Sequence, residues 1–416
     1  MRVVIVADQA STKFGGQAIL PLHYFKLLRS RNIEAWLVVH AGTQSELQAL
    51  FPEECDRMYF VKDTWIHAFL WRLGQFLPSR VAIMTTGLIS HIYTQNIERP
   101  VVRQLVQKHN IDIVHEPIPV SPKFPSLMFD VGAPVVIGPM NGNIEYPPAF
   151  RTRESRFAQI MVSQGRRLAN FCNRLMPGKL KAQTLLVANE RTKQALPSGT
   201  SGTIIELAEN GVDLSIWQSV KSEYQASPEA AKFVFIGRLV DWKAVDVLLE
   251  AFQTVAQKTD ACLEIIGDGD LKQELEAQAI SLGLKQRVTF TGWLSQKECA
   301  IKLKQAHALV LPSLLECGGA VVLEAMAMGL PVIATKWGGP VDYLDATCGI
   351  LIEPTSREAL VNGLTSAMHK LTQFPELRIQ MGSAGQERVR QHFDWERKID
   401  RILEIYDLTM QFKTTA

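Results

Sequence analysis

ALVLPSLLECGGAVVLEAMAMGLPVIATKWGG, residues 308–339, decides the fold of this chain. It opens on one short apolar run, ALVLPS (308–313), and closes on another, PVIATKW (331–337). Runs of that length, bounded by Gly and Pro and rich in β-branched residues, read as strands buried on both faces. Between them the sequence predicts one helix, from Gly319 or Ala320 to Gly329, with Pro331 just beyond as a stop signal. Strand, helix and strand in that order build a parallel sheet covered by helices.

The polar residues inside this stretch are not needed to make it. Gly318 and Gly319 stand at the helix N-terminus, where free N–H groups and the positive end of the helix dipole favour an anion. Glycine also lets a phosphate approach the backbone closely. Glu316 projects from the loop and Glu324 lies about one turn inside the helix. Carboxylates accept hydrogen bonds from hydroxyls, so a polyol carrying a phosphate suits the whole set. The plainer reading is a turn with two solvated glutamates. Two carboxylates in so apolar a run are costly without partners, which favours a ligand.

The same pattern extends both ways. AKFVFIG (231–237), ACLEIIG (261–267), RVTFTGW (287–293) and GILIEP (349–354) are further strands, with helices around 244–258, 270–282 and 295–306. The first half offers RVVIVAD (2–8), EAWLVV (34–39), MYFV (58–61), IDIVHE (111–116), APVVIGP (133–139) and LLVAN (185–189). A helical pattern over 17–32 follows the first strand. Each half therefore reads as a Rossmann-like, doubly wound α/β domain, and 416 residues suit two of them. The join falls near 195–213, rich in Gly, Ser and Thr. The boundaries predicted are 1–200 and 207–394, with an amphipathic helix over 395–416 packing back on the first domain. A cleft between the two is the expected place for a ligand, beyond the carboxyl ends of the strands.

Forty-four basic against 42 acidic residues leave a charge of +2, which gives no footprint for nucleic acid. No leader peptide and no apolar run long enough to span a membrane is read from the sequence. Six cysteines without C-x-x-C spacing indicate reduced thiols, and a cytoplasmic location is expected.

Two other motifs could handle an anion. In FIGRLVDWKAVDVLLEAF (235–252), Gly237 and Arg238 end a strand and Lys243 precedes a helix. Two cations beside a helix dipole could stabilise a diphosphate without metal, although each alone reads better as a solvated surface charge. In KFGGQAI (13–19), Gly15 and Gly16 make a second potential anion nest. Neither G-x-G-x-x-G nor a P-loop signature occurs. GDGD (267–270) mimics a metal-binding D-x-D, but it lies in a Gly-rich strand-to-helix turn, so no metal is expected.

Taken in order, GG after the first strand, NGVD (210–213), GRL-x-x-x-K and two glutamates spaced as Glu316 and Glu324 resemble glycosyltransferase family 4. These are retaining sugar-nucleotide transferases of the GT-B fold. The resemblance covers most of the chain and is densest from Asn210 to Gly349. The wording ECGGAVVLEAMAMGLPVIATKWGGP is similar to a branch of bacterial and cyanobacterial exopolysaccharide transferases. The resemblance implies that Arg238 and Lys243 contact the donor diphosphate, that Glu324 binds ribose hydroxyls and that Glu316 binds the donor sugar. The backbone around Cys317, Gly318, Gly319 and Ala320 would touch sugar and β-phosphate. Gly15 and Gly16 would close on the diphosphate, and Gly292, Trp293 and Leu294 would meet the base.

The first half departs from the family pattern, which carries a His near the reacting sugar. Asn141, in IGPMNGN (137–143), stands at the matching place, and His115 ends a neighbouring strand. Both are candidates, and a structural hydrogen-bonding role weighs equally for His115. Residues 151–181 hold eight basic residues and one acidic. They read either as a contact with anionic membrane or as a solvated basic helix beside the acceptor.

The function expected is metal-independent, cofactor-free transfer of a hexose, best represented by glucose from UDP-glucose, to a glycan or lipid-linked saccharide acceptor. A sugar-nucleotide epimerase and a non-catalytic sugar-nucleotide- or glycan-binding subunit are the rivals.

Overall fold

The computed structural model describes residues 1–13, 16–77, 79–153, 156–217 and 230–411. The chain divides into two compact units. The first comprises Met1–Asn143, Glu154–Glu209 and Ile399–Ala416, and the second Ile144–Arg153 and Asn210–Lys398.

The first unit is built on seven parallel strands: β1 (Arg2–Ala7), β2 (Glu34–His40), β3 (Met58–Val61), β4 (Ile113–Glu116), β5 (Val135–Met140), β6 (Thr184–Val187) and β7 (Thr203–Glu206). Their order across the sheet is β3-β2-β1-β4-β5-β6-β7. Five consecutive residues of β1, from Val3 to Ala7, are buried, as a strand covered on both faces requires. Strand order reverses between β1 and β4, and this is the unit's topological switch point.

The second unit carries six parallel strands: β8 (Lys232–Ile236), β9 (Cys262–Ile266), β10 (Val288–Gly292), β11 (Ala308–Leu311), β12 (Val332–Thr335) and β13 (Gly349–Ile352). Their order is β10-β9-β8-β11-β12-β13, so the switch point lies between β8 and β11. The opening stretch folds as β11, the helix Ala320–Ala327 and β12, with β11 and β12 paired in parallel.

Three details differ from the sequence expectation. The 195–213 segment is not only a connector, because β7 lies within it and pairs with β6. Its residues Thr203, Ile204 and Glu206 are exposed, so this edge strand never presents the apolar run by which a strand is recognised. Residues Ile144–Arg153, placed by sequence in the first half, group with the second unit. There Tyr146 Oη donates to Asp241 at 2.8 Å, Trp337 Nε1 donates to the Glu145 carbonyl at 2.8 Å, and Arg153 binds Asp246. The last helix, Trp395–Gln411, is shared, since the chain passes from the second unit to the first after Lys398. Its first-unit part buries Ile402, Ile405 and Tyr406, and Thr409 bonds Thr184 at 2.7 Å.

Candidate active site

In the second unit the residues singled out by sequence gather beyond the carboxyl ends of β8 and β11, the two strands that flank the switch point. After β8 the chain passes Gly237 and Arg238 and makes a short 3-10 turn, Asp241–Lys243. Ala244 follows at φ +50, a left-handed conformation that a residue with a Cβ adopts only at a cost of about 1 kcal/mol. It swings the chain into the helix Val245–Lys258. The Leu314 N–H, in the loop after β11, donates to the Trp242 carbonyl at 2.8 Å and ties the two loops together. As a result Lys243 Nζ pairs directly with Glu316, and both side chains keep about one seventh of their surface open (14% and 13%). Arg238 is exposed, and its guanidinium carbon lies 5.5 Å from the centre of the Trp242 ring.

Gly319 caps the helix Ala320–Ala327 with φ +80, and a Cβ there would lie 2.9 Å from Glu316 Cγ. Glycine is therefore demanded twice, by its dihedral angle and by the carboxylate folded over it. Opposite runs a second pair that sequence reasoning missed as site residues, Gly338 and Gly339. Added Cβ atoms there would stand 2.3 Å from the Glu316 carbonyl oxygen and 2.2 Å from that of Gly318. The Gly339 N–H donates to the Glu316 carbonyl at 2.7 Å. The signal in the sequence is the second GG, in KWGGP directly before Pro340. Cys317 is exposed, while Gly318 is buried and Ala320 is partly so. Glu324 is half-buried and has no hydrogen-bond or ionic partner among the described residues. Burial pushes its carboxyl up to about 7. Gly292 closes β10 at φ +80, and Trp293 beyond it is 62% exposed.

The GDGD turn has an ordinary explanation. The Gly267 N–H donates to the Gly292 carbonyl, and an added Cβ at Gly267 would meet the Gly237 carbonyl oxygen at 1.9 Å. Asp268 accepts from the Gly269 N–H at 2.8 Å and faces Lys272 at 3.6 Å. These contacts are those of loops stacked edge to edge.

The first-unit candidates stand differently. Gly15 lies outside the described residues, and Gly16, at φ +52, opens a 3-10 turn, Gly16–Ile19. His115 is fully enclosed. Its Nε2–H donates to the Gly138 carbonyl at 2.6 Å, Tyr406 Oη lies 2.7 Å from Nδ1, and the Tyr24 ring packs edge-on. Both nitrogens are thus engaged by the core, the arrangement of the structural hydrogen-bonding alternative for His115. Asn141 is also buried, donating from Nδ2 to Glu209 at 2.8 Å and meeting Asn189 at 3.3 Å.

Sequence reasoning overlooked a buried polar cluster at the first unit's switch point. The helix Leu88–His109 turns His91, Gln95 and Glu98 inward, toward Asp8 after β1 and Glu116 at the end of β4. Asp8 lies 2.6 Å from His91 Nδ1, and the Pro125 carbonyl takes Nε2. Burial alone would lower the His91 pKa, but the Asp8 carboxylate raises it on balance. Glu116 accepts from Gln95 and Ser126, both at 2.5 Å. Burial pushes Glu116 up and Lys179 down. Both Glu98 oxygens are buried with no hydrogen-bond partner among the described residues, and burial holds this carboxyl well above its ordinary range. One His/Asp group among the described residues brings ligand atoms within 4.8 Å: His40, Asp63 and His67. His67 Nδ1 there accepts from the Thr64 N–H at 3.2 Å, as a helix cap.

Residues 219–388 match the sequence model of the family described as glycosyl transferases group 1. Over its whole length the chain superposes on Alr3699/HepE of Anabaena, solved in complex with UDP, with a TM-score of 0.66 at 18% identity, covering 98% of this chain and 100% of that one. The chain has the GT-B fold, and the match to group 1 glycosyl transferases is confined to residues 219–388 of its second unit. Among curated relatives, the lipopolysaccharide core biosynthesis glycosyltransferase LpsD of Rhizobium meliloti is 29% identical over 187 residues, 45% of this chain and 52% of that protein. The GDP-mannose-dependent alpha-(1-6)-phosphatidylinositol monomannoside mannosyltransferase of Mycolicibacterium smegmatis is 29% identical over 181 residues, 41% of this chain and 46% of that protein. The chain thus spans about half the length of the curated relatives it matches.

Proposed function

We propose that this protein is a retaining glycosyltransferase, moving a hexose from a nucleoside diphosphate donor to a glycan or lipid-linked saccharide acceptor. The observation that carries the reading is the set at the β8/β11 switch point: two cations, a glycine-capped helix N-terminus and two carboxylates, within the segment that matches group 1 glycosyl transferases. The diphosphate takes the N-terminus of the helix Ala320–Ala327 together with Arg238 and Lys243. The ribose hydroxyls take Glu324, whose carboxylate otherwise has no partner. The sugar hydroxyls take Glu316, drawing it from Lys243 and freeing that ammonium for the phosphate. Gly237 and Gly292–Leu294 border the donor, Trp293 offering a face to the base. Charge building on the leaving diphosphate is met by Arg238, Lys243 and the helix dipole, a role that needs no metal and no cofactor. The first unit takes the acceptor.

UDP-glucose is the donor proposed. A UDP complex of the Anabaena neighbour supports the uridine, and the GDP-mannose-dependent relative marks the alternative that a test must include. The test is release of nucleotide by the purified protein from UDP-, GDP- and ADP-sugars, with EDTA and with simple sugar acceptors. Release from UDP-glucose that survives EDTA supports the reading, and preference for another donor corrects the sugar or base. A change in the sugar without release of diphosphate would identify an epimerase. Binding with no turnover of any donor would identify a binding subunit.

A further inference from the structure

The first unit leaves a large apolar surface uncovered. The helix Trp65–Gly74 buries only His67 and Leu70. Its opposite face carries Trp65, 78% exposed, with Phe69 and Arg72 beside it and Trp71 and Leu73 on the flanks. Phe76, just beyond, is 86% exposed. Further exposed apolar side chains lie on the elements packed beside it. Gly74 lies against Thr86, in the turn Ile83–Gly87, and Met84 of that turn lies against Gly165. Gly165 belongs to the helix Arg156–Leu175, on which Ile160, Leu168, Phe171 and Leu175 recur on one face, each more than half exposed. Ile83 and Ile89 are exposed between the two helices.

Isolated exposed apolar side chains are ordinary, but so many on one helix and the elements packed beside it mark a docking surface. Its charge says what docks. Residues 64–97 contain Arg72 and Arg80, residues 156–175 contain Arg156, Arg166, Arg167 and Arg174, and neither segment contains an Asp or Glu. Six basic residues and no acid in these two segments, with Arg72 and Arg174 exposed, and two tryptophans and three exposed phenylalanine or leucine side chains on the first helix and its extension, match an anionic bilayer interface. Tryptophan favours that depth, with its ring among acyl chains and its N–H among headgroups. Among the described residues no helix is long and apolar enough to cross a membrane, which leaves docking in the plane of the interface.

We infer that the surface formed by Trp65–Phe76, Ile83, Ile89 and the exposed face of Arg156–Leu175 seats this protein on an anionic lipid bilayer. The inference does not rest on the donor assignment, because vesicle binding is read without turnover.

The test is flotation of the full chain with phosphatidylcholine vesicles and with mixed phosphatidylcholine–phosphatidylglycerol vesicles, beside tryptophan fluorescence. The expected result is flotation with the mixed vesicles, a blue shift of the emission, and quenching by brominated lipid. A variant combining Trp65→Ser, Phe69→Ser, Trp71→Ser and Phe76→Ser should lose at least tenfold in vesicle partitioning while nucleotide release in solution is unchanged. Arg72→Glu with Arg174→Glu should weaken binding to mixed vesicles alone. Three results would overturn the inference. The first is wild-type protein unfloated in both mixtures, and the second is a serine variant that floats like wild type. A wild-type dimer in sedimentation that the serine variant dissolves, without flotation, would assign the surface to a second copy. Brominated-lipid quenching of the wild type decides the matter even where the serine variant fails to fold.

Discussion

The two units reverse their strand order in the same way, between β1 and β4 in the first and between β8 and β11 in the second, yet treat the charge placed there in opposite ways. Beyond β8 and β11, Arg238 is exposed, Glu324 lacks a partner, and Lys243 and Glu316 hold each other where a ligand can replace either contact. Beyond β1 and β4, Asp8 and Glu116 are taken up by His91, Gln95 and Ser126. Glu98 sits among them, buried and with no hydrogen-bond partner among the described residues. Ionisable residues at a switch point are therefore not evidence of a ligand by themselves. Charge left accessible and incompletely paired is such evidence, and charge sealed in a network is architecture with a pH dependence.

The largest effect that could break this contrast is on turnover. Lys243→Ala and Arg238→Ala should each lower nucleotide release on the order of 10²-fold or more, by analogy with lost donors to a developing anion. The thermal midpoint should barely move in Arg238→Ala, whose side chain is exposed, and fall in Lys243→Ala, which leaves the mostly buried Glu316 carboxylate unpaired. Wild-type turnover in both would end the assignment of the second unit's charge to a ligand. Next comes Gly319→Val, which must hold φ +80 with a β-branched side chain against Glu316. A cost of about 1–3 kcal/mol in stability is expected, together with weaker donor binding, measured by denaturant unfolding and calorimetry on the same sample.

The first unit supplies the opposite sign. Glu98→Met should stabilise the protein by about 1–3 kcal/mol at neutral pH, since it removes a buried group with unmet hydrogen-bonding need. Its carboxyl is held well above 4.5 in the folded chain by burial, then by Asp8 and Glu116. Stability is complete at low pH, where both states are protonated, and falls as pH rises above the unfolded value and the unfolded chain alone ionises. The gain of Glu98→Met over wild type should therefore grow with pH above about 4.5. A gain that is flat with pH would mean that Glu98 is ionised and partnered.

The smallest effect concerns Glu324. Burial raises its carboxyl to about 7, so the hydrogen-bond-accepting carboxylate is lost as pH falls through that value. Donor affinity should rise a few-fold from pH 6 to pH 8 in the wild type and stay flat in Glu324→Gln, as judged by titration calorimetry.

The second unit was legible because its evidence is local. A strand, two glycines and a helix start sit within one short stretch, so Glu316, Gly319 and Glu324 could be placed relative to one another from chain order alone. Lys243 needed only the rule that neighbouring loops beyond β8 and β11 share one end of the sheet. The facing glycines, Gly338 and Gly339, were missed because their function is a close approach to the Glu316 and Gly318 carbonyls, which a sequence does not display. The first unit was less legible for the same reason. His91, Gln95 and Glu98 recur on one helix face like any solvated polar stripe, and only packing reveals that they point inward. His115 looked poised at a strand end, whereas Tyr406, 291 residues away, takes its second nitrogen. The edge strand β7 escaped because its exposed residues carry no apolar period.

The most direct test compares binding of the selected donor and of its free nucleoside diphosphate to the wild type, Glu316→Ala and Glu324→Ala. If Glu316 holds the sugar and Glu324 the ribose, Glu316→Ala should erase the preference for donor over nucleoside diphosphate while keeping affinity for the latter. Glu324→Ala should weaken both ligands by a similar factor. If Glu316→Ala kept the full preference for the sugar-bearing donor, the carboxylate folded over Gly319 would not be a sugar ligand and the account of this site would be wrong.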